Sequence, residues 1–321
     1  MTANLTISCF NVENLDDSNA SLWKKRKRIL KPMLERLKAD IILFQEVNKE
    51  SALGDLIAGT QYKDYKVEHT KTAAGNWRAE RNLVTLSRFD ITQSDLVMHE
   101  YVQQPMWRFS TAKPPDDEAD PISWERPILY CEHEIGTNKK LYTLNLHLKS
   151  KMPSSVPGQK DGQYKWKSHE AWAEGAFLAM IRRMGQAIET RALLSTILKE
   201  NPDSLIIVGG DLNADLGEIP FEAITGSVPE TQNPDLQSLV MIPCEFGIPP
   251  SQRYSLIHHG KNMMLDHLLA SQALYPYWLE TKVFNELLLD ESVRFATEKK
   301  FPQSDHAPLV AYFEVPPNWL S

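Results

Sequence analysis

The chain has 321 residues, of which 42% are hydrophobic and 24% are charged. This composition allows a sizeable buried core and argues against wholesale disorder. The formal net charge of −7 argues against a protein that coats nucleic acid by bulk electrostatics, because that mode of binding needs a basic surface. A locally positive cleft is still compatible with this charge, since a bound metal ion adds charge that the composition does not count.

The cysteines and the N-terminus indicate a reducing compartment. Cys9, Cys131 and Cys244 lie far apart and no CxxC occurs, so neither a zinc knuckle nor a disulfide framework is indicated. The start, MTANLTISCF, lacks the basic and apolar regions of a secretory signal. No uninterrupted apolar stretch approaches the length of a membrane span. We therefore expect a cytoplasmic protein without a membrane span, and no protein partner is evident.

The N-terminal half alternates short apolar runs with a helix and loops. LTISCFNV predicts a strand, and SLWKKRKRILKPMLERLKAD predicts a helix with Leu30, Met33, Leu34 and Leu37 on one face. The basic run at residues 24–28 suits either a nucleic-acid patch or a solvated helix face, and the second use is the commoner. DIILFQEV and NLVTLSRFDI predict two more strands. The Pro-rich, acidic segment 102–125 predicts a long loop.

The C-terminal half predicts a hairpin, a long helix and further strands. RPILYCEHEI and KLYTLNLHLKS pair around GTNKK, and the second run alternates apolar residues with Thr143, Asn145, His147 and Lys149. Residues 169–199 have a helical composition. SLIIVGGDLNADLGEIPF predicts a strand that breaks at its glycine pair, where we expect the chain to turn and a ligand to approach. RYSLIHHGKNMMLDHLLAS predicts two strands around a turn, and HAPLVAYFEV closes the chain. Without a repeat or linker, we predict one α/β (α+β) domain over residues 1–321.

Several apolar runs stop beside a residue that can bind a metal through oxygen or imidazole. Such residues are usually caps or turn residues when taken singly. If the strands lie in packed sheets, their ends can converge on one edge, which we call the rim. Together these ends offer only Asp, Asn, Glu and His. Such a set of ligands suits Mg²⁺ or Mn²⁺ better than zinc. A strand histidine is usually structural, but His147 shares its face with Lys149, which favours an anion site. The residues at the strand ends are Asn11, Glu46, Asp211, Asn213, Asp266, Asp305 and His306.

Six motifs occur in one order along the chain: FNVEN, FQEV, LNLHLKS, VGGDLNAD, LDHLLAS and SDHAPL. This series, between Thr6 and Phe313, resembles the endonuclease/exonuclease/phosphatase superfamily, whose type member is pancreatic deoxyribonuclease. The resemblance implies a four-layer sandwich, in which two mixed β-sheets pack together and helices flank them. It also implies a divalent-metal-dependent hydrolase of phosphate esters.

The resemblance also implies a metal site and an acid/base pair. Glu46, assisted by Asn11 and Asp305, would hold the metal. His306 would transfer the proton, and Asp266 would be its carboxylate partner, much as the Asp of a serine-hydrolase triad orients its histidine.

The remaining motif residues would handle the nucleophile and the phosphate. Asp211 would orient or deprotonate the nucleophile. Asn213 would hold the phosphate beside it, and His147 would bind the phosphate from the other side. The candidates for further substrate contacts are Arg126, which matches a family arginine that supports the site, and Lys149 and Arg253.

Two features favour nucleic acid as the substrate. The block RYSLIHHGKNMMLDHLLAS is similar to that of bacterial nuclease-like members of the superfamily. Lysine and tryptophan also interleave after His147, a pattern that can bind backbone and bases together, although an ordinary loop with one buried tryptophan has the same composition. These residues are Lys151, Lys160, Lys165, Trp166, Lys167 and Trp172.

We therefore predict a nuclease that hydrolyses phosphodiester bonds in DNA or RNA with Mg²⁺ or Mn²⁺. One alternative is a phosphomonoesterase, or a phosphodiesterase acting on phospholipids or small molecules, of the same superfamily. A second alternative, of another class, is a catalytically degenerate binding module. The complete motif set argues against that module, because binding alone does not need an acid/base histidine with its carboxylate partner.

Overall fold

This computed structural model describes residues 2–297 and 301–320, without the side chains of residues 294–296. The strands are β1 (Ala3–Leu15), β2 (Ile41–Val47), β3 (Lys66–His69), β4 (Asn82–Ser87), β5 (Asp90–Val97), β6 (Met106–Trp107), β7 (Asp120–Pro121), β8 (Ile128–Gly136), β9 (Lys139–His147), β10 (Lys160–Asp161), β11 (Lys165–Trp166), β12 (Leu205–Asp211), β13 (Met241–Pro243), β14 (Leu256–His258), β15 (Lys261–Met263), β16 (Asp266–Ser271), β17 (Trp278–Val283) and β18 (Leu309–Val315). The helices are α1 (Ala20–Leu37), α2 (Glu50–Ile57), α3 (His169–Glu200), α4 (Ile219–Thr225), α5 (Val228–Thr231) and α6 (Ser292–Thr297), with 3₁₀ turns at Pro234–Leu239, Cys244–Gly247, Tyr275–Tyr277 and Pro317–Trp319.

Two six-stranded sheets lie face to face. The strand order is β17-β18-β1-β2-β4-β3 in the first sheet and β13-β16-β12-β9-β8-β5 in the second. Both sheets are mixed, because β1 is parallel to β2 and antiparallel to β18, while β12 is parallel to β9 and antiparallel to β16. Helices α1 and α2 cover the outer face of the first sheet, and α3 and α4 cover that of the second. The predicted four-layer sandwich is therefore confirmed, whereas the single domain over residues 1–321 stays a prediction.

Helix α1 has the predicted apolar face. It begins after Asn19, whose Oδ1 accepts a hydrogen bond of 3.0 Å from the backbone N–H of Leu22. Its basic run is mostly a solvated face, except that Arg26 is buried and donates to the carbonyl of Val12 at 2.5 Å. The leucines that pack on the first sheet are Leu30, Leu34 and Leu37, with Met33 partly buried beside them. No described helix has both the length and the hydropathy needed to cross a membrane.

Strand β9 turns its polar face inward, between the two sheets. Asn145 Nδ2 donates to the carbonyls of Phe44 and Val84 in the first sheet, each at 3.1 Å. Gln45 Nε2 in turn donates to Asn145 Oδ1 at 2.8 Å. The apolar face of β9, including Leu146, packs under the helices instead. Since buried polar groups need partners, these hydrogen bonds fix one sheet against the other.

The glycine pair at the end of β12 serves the packing of the strands, not the approach of a ligand as the sequence suggested. A Cβ at Gly209 would lie 2.8 Å from the side chains of both Leu43 and Leu268. A Cβ at Gly210 would collide with the carbonyl oxygen of Leu146, and Gly210 has a φ of +134°. Both positions therefore exclude a side chain because neighbouring strands occupy the space.

We expect Gly210→Ala to lower the free energy of unfolding by about 3 kcal/mol or more, because a backbone collision adds to a φ that only glycine tolerates. The matched control is Gly54→Ala on α2, where an added Cβ meets nothing within 4 Å. That variant should be neutral or stabilised by up to about 1 kcal/mol, as helix propensity predicts. Denaturant unfolding measures both, and equal effects would contradict the packing role of Gly210.

Candidate active site

Strand ends from both sheets meet at the rim, which is one edge of the sandwich. The parallel pairs β1–β2 and β9–β12 bring four C-terminal ends to this edge. The antiparallel strands β16 and β18 begin there. A hydrogen bond of 3.1 Å from Asn11 Nδ2 to Asp211 Oδ2 links the two sheets across the rim.

A bulge at the rim aims Glu46 toward the second sheet. The pairing of β1 with β2 shifts register after Asn11, and φ is +47° at Glu13, +50° at Asn14 and +61° at Glu46. The N–H of Asn14 donates to Glu46 Oε2 at 3.0 Å, while Glu46 Oε1 lies 3.8 Å from His147 Nε2. Bulges commonly redirect side chains at sites, and a positive φ is unusual for glutamate. The strained turn thus gives Glu46 an orientation that a regular strand would not.

His306 and Asp266 form a buried histidine–carboxylate pair. His306 Nδ1 and Asp266 Oδ2 are 2.7 Å apart, and the backbone N–H of Asp266 donates to Ser255 Oγ at 3.0 Å. Burial opposes the charge on His306, but the carboxylates of Asp266 and Asp211 outweigh it, so the pKa of His306 lies well above its usual value. The imidazole is therefore protonated at neutral pH.

Asp211 lies at the centre of the site. Its Oδ1 accepts a hydrogen bond of 2.9 Å from the N–H of Asn213. Its Oδ2 accepts the bond from Asn11 and lies 3.3 Å from His147 Nε2 and 3.9 Å from His306 Nε2. Burial raises the pKa of Asp211 to about 7, with Asp266 adding to the shift and His306 opposing it. One carboxylate oxygen thus faces both imidazoles.

His147 is held as a neutral ring. Burial lowers its pKa well below the usual value, and the charges of Arg126 and His306 lower it further. Its Nδ1 is buried without a hydrogen-bond partner in residues 2–297 and 301–320. A neutral imidazole with that nitrogen unprotonated presents N–H at Nε2, the atom that faces Asp211 and Glu46.

Two backbone segments complete the rim. Asn213 has a φ of +47°, and its Nδ2 donates to the carbonyl of Leu148 at 3.1 Å. The backbone N–H of Asp305 donates to Glu13 Oε2 at 3.3 Å, so Asp305 follows the bulge of the first sheet. Both predicted residues therefore lie at the rim, each tied to a neighbouring strand.

The three predicted cationic residues make different contacts, and not all of them lie at the rim. Arg126 is buried, and its Nε donates to the carbonyl of His147 at 3.1 Å, which supports the strand end from behind. Lys149 Nζ donates to Ser150 Oγ and to the carbonyl of Met152. Arg253 is not brought to the rim by its hydrogen bonds, which go to the carbonyls of Phe246 and Ile248. Its guanidinium braces a loop.

The structure adds site residues that the sequence did not single out. Ser304 Oγ donates to the carbonyl of Asn11 and accepts from the N–H of His306, so one hydroxyl joins the proposed metal side to the acid/base side. Its place two residues before His306 is the only signal that could have marked it. Arg81 is exposed, and its charge acts on both Arg126 and His147. No sequence pattern connected it to the motifs.

The residues of the rim fit a hard divalent cation. The carboxylates of Glu46, Asp211 and Asp266 gather there, with Glu13 in the bulge of β1 and Asp305 in the segment before β18. Buried like charges repel one another, and a bound cation relieves that repulsion.

Ligand atoms of Asp211, Asp266 and His306 also lie within 4.8 Å of one another. His306 Nδ1 is already hydrogen-bonded to Asp266, however, so less of this group is free to bind a metal. Glu46, Asn11 and Asp305 offer the carboxylate and amide oxygens that Mg²⁺ or Mn²⁺ prefers.

Solved structures with low sequence identity share this fold. Truncated TDP2 of Caenorhabditis elegans matches with a TM-score of 0.59 and 18% identity, covering 97% of this chain and 98% of that chain. A mannosyl-6-phosphatase of Bacteroides thetaiotaomicron matches with a TM-score of 0.55 and 16% identity, covering 96% and 98%. An endonuclease/exonuclease/phosphatase of Bacteroides vulgatus matches with a TM-score of 0.57 and 15% identity, covering 98% and 100%. At these identities the likeness concerns the fold alone.

The family follows from a match along the sequence. A comparison with curated proteins gives no significant match. Residues 9–306 match the model of the Endonuclease/Exonuclease/phosphatase family, a range that contains every predicted site residue. The chain therefore belongs to the endonuclease/exonuclease/phosphatase family, whose members are metal-dependent hydrolases of phosphate esters.

Proposed function

We propose that the protein is a nuclease that hydrolyses phosphodiester bonds of DNA or RNA by in-line attack of water. The observation that carries the proposal is the placement of Asp211 Oδ2 between His147 Nε2 and His306 Nε2, at 3.3 and 3.9 Å. An acceptor for a water proton and a charged imidazole are thereby held within reach of one reacting phosphate.

The residues assigned to the cation are Glu46, Asn11 and Asp305, and the cation is Mg²⁺ or Mn²⁺. When bound, it neutralises charge on the phosphate oxygens and polarises the phosphoryl group. Asn11 is prepared for this role, because Asn11 Oδ1 accepts from the N–H of Glu13 and Asn11 Nδ2 donates to Asp211. Its amide is thus fixed between the two parts of the site.

The protein's own groups divide the proton transfers. Asp211 orients the attacking water and accepts its proton as the new P–O bond forms. His306, charged at neutral pH, donates its Nε2 proton to the oxygen that leaves as the old P–O bond breaks. Asp266 fixes the ring through Nδ1 and stabilises its charge. His147 and Asn213 supply neutral donors on the two sides of the phosphate.

The small number of free cations favours a diester over a monoester. A monoester carries one more negative charge and needs more positive side chains around it. Here the Nη1 of Arg126 lies 3.5 Å from Glu125 Oε2, and Lys149 Nζ lies 3.7 Å from Glu125 Oε1. One carboxylate thus offsets two of the three predicted cations, and the third, Arg253, is bound to backbone carbonyls instead. Arg81 is an exposed charge that acts on His147.

A substrate panel with Mg²⁺ or Mn²⁺ tests the proposed function. We expect cleavage of single-stranded or duplex DNA, or of RNA, and hydrolysis of bis-p-nitrophenyl phosphate, with p-nitrophenyl phosphate and sugar phosphates turned over much more slowly. A His306→Asn variant that is purified in the same way controls for contaminating nucleases. The nuclease proposal is wrong if the monoesters are far better substrates and both nucleic acids stay intact.

A further inference from the structure

Helix α3 extends well beyond the strands that it covers. Its 32 residues span about 48 Å, whereas the nine residues of β9 span about 30 Å. The helix passes the rim near Arg183, whose Nη1 donates to the carbonyls of Lys149 and Ser150, both at 3.1 Å. Residues 169–182 therefore project past the rim by about 20 Å.

Two chain segments pack on this projecting half, and together the three form what we call the wall (residues 105–125, 150–168 and 169–182). Ser154 ties the second segment to α3, because its N–H donates to the carbonyl of Gly175 at 2.9 Å. The buried carboxylate of Glu174 holds the first segment by accepting from Trp107 Nε1 and from the N–H of Ser110. The wall is thus an ordered structure beside the rim.

A cleft of about 450 Å³ opens in the wall between two tryptophans. Trp172 is 50% exposed, whereas tryptophan side chains are highly buried on average. The ring of Trp166 packs against Gly175, and Lys160 Nζ lies 4.4 Å from its centroid. The described residues that line the cleft include no acid: they are Trp166, Lys167, Ser168, His169 and Trp172.

The surroundings of the cleft suit an anionic chain that carries aromatic groups. Lys165 and Lys167 lie 3.9 and 3.5 Å from oxygens of Asp161, in exposed pairs that hold the lysines only weakly. Indole faces bind any nucleobase by stacking, and nearby lysines bind the phosphates. The sequence alone did not decide whether this Lys- and Trp-containing segment is an ordinary loop or a nucleic-acid contact. In the structure the segment forms an open cleft.

We propose that the Trp166–Trp172 cleft binds a nucleobase of a single-stranded part of the substrate, away from the phosphate that is cleaved. Its ligand class rests on the proposed nuclease function. Gly175 and Trp172 precede Arg183 by eight and eleven residues, so the cleft lies about 12 to 16 Å from the rim along α3. A small diester at the rim cannot reach it, whereas an oligonucleotide of several nucleotides can occupy both places.

The test compares Trp172→Ala and Trp172→Phe with Met180→Ala, an exposed apolar residue of the same helix outside the cleft. For a long single-stranded oligonucleotide, Trp172→Ala should lower kcat/KM about tenfold or more, within the range of base stacking on aromatic residues. Trp172→Phe should keep most of the activity, because it keeps an aromatic face. All three variants should hydrolyse bis-p-nitrophenyl phosphate like the wild type.

Binding of a labelled oligonucleotide in EDTA, followed by fluorescence anisotropy, separates this proposal from the nuclease proposal. Binding that weakens about tenfold in Trp172→Ala supports the cleft even if the wild type cleaves no nucleic acid, an outcome that overturns only the nuclease proposal. The cleft proposal is overturned if Trp172→Ala cleaves and binds oligonucleotides like Met180→Ala, or if the wild type does not bind them.

Discussion

Replacing His306 should lower kcat by about 10²-fold or more, the usual contribution of a general acid or base. His306→Ala leaves the fully buried Asp266 carboxylate without its partner, so this variant should also be destabilised by about 1 to 3 kcal/mol. His306→Asn keeps an N–H donor near the position of Nδ1 and removes the nitrogen that faces Asp211. It should therefore lose the same activity with a smaller loss of stability, as measured by steady-state kinetics and thermal unfolding.

The control for this prediction is His258→Ala, which removes an exposed imidazole that pairs with Glu291 at 2.7 Å on the β14–β15 hairpin. Its kcat should match the wild type. Asp266→Asn should reproduce part of the His306 defect, because an amide holds the ring but does not stabilise its charge. Near-normal kcat in His306→Asn would remove the acid/base role from this residue and transfer it to His147.

Two Asp-His dipeptides show what the sequence could and could not reveal about the site. In Asp266–His267 the aspartate faces the rim, while His267 lies on the helix-covered face of the second sheet, 2.6 Å from Glu245 and 2.9 Å from the carbonyl of Ala214. In Asp305–His306 the histidine is the residue that bonds across to Asp266. Adjacent side chains of a strand point to opposite faces, which separates Asp266 from His267 in β16, whereas Asp305 and His306 lie in a bend before β18 and only the histidine joins the pair. Pairing Asp266 with His306, 40 residues apart, required the resemblance to a known family.

Hydrophobic periodicity and composition predicted the positions of helices and strands well. The predicted helix at residues 169–199 appears as His169–Glu200, and the hairpin strands appear as β8 and β9. The polar face of β9 shows the limit of such patterns, because alternation separates two faces but does not say which one meets solvent. Asn145 is buried between the sheets and bonded to Phe44 and Val84. Only the first sheet, which distant residues form and which packs on this face of β9, decides that orientation.

The sequence did not predict which residues have positive φ angles or which charged side chains lie near the site. Nothing in FQEV marks Glu46 for a φ of +61°, because the bulge arises from its pairing with β1. Arg253 begins the nuclease-like block but stabilises a loop, whereas Arg81 lies outside every motif and its charge acts on His147. The glycine pair Gly209–Gly210 was assigned to a ligand, but neighbouring strands fill that space. Each difference depends on a contact between segments that are remote in sequence.

Removing the cation, or the charge of Glu46, should have the largest effect on activity. EDTA should abolish hydrolysis, because the clustered carboxylates of Glu46, Asp211 and Asp266 would otherwise repel the phosphate. Glu46→Gln keeps an oxygen that can accept from the N–H of Asn14, so the bulge should persist. The variant should lose activity, or need at least about tenfold more Mg²⁺, a loss that even outer-sphere partners of a metal can cause.

A second measurement tests Glu46 without relying on turnover. A cation that binds only the folded protein raises Tm, so Mg²⁺ should stabilise the wild type in thermal unfolding and should stabilise Glu46→Gln much less. The matched control is Glu286→Gln, which removes an exposed carboxylate 2.8 Å from Arg36 and away from the rim. Its Mg²⁺ response should equal that of the wild type, because an exposed pair adds little to stability. Full turnover in EDTA would refute the metal requirement. An equal rise of Tm in Glu46→Gln and the wild type would instead place the cation on other residues, with Asp211 and Asp266 as the next candidates because their ligand atoms lie within 4.8 Å of each other.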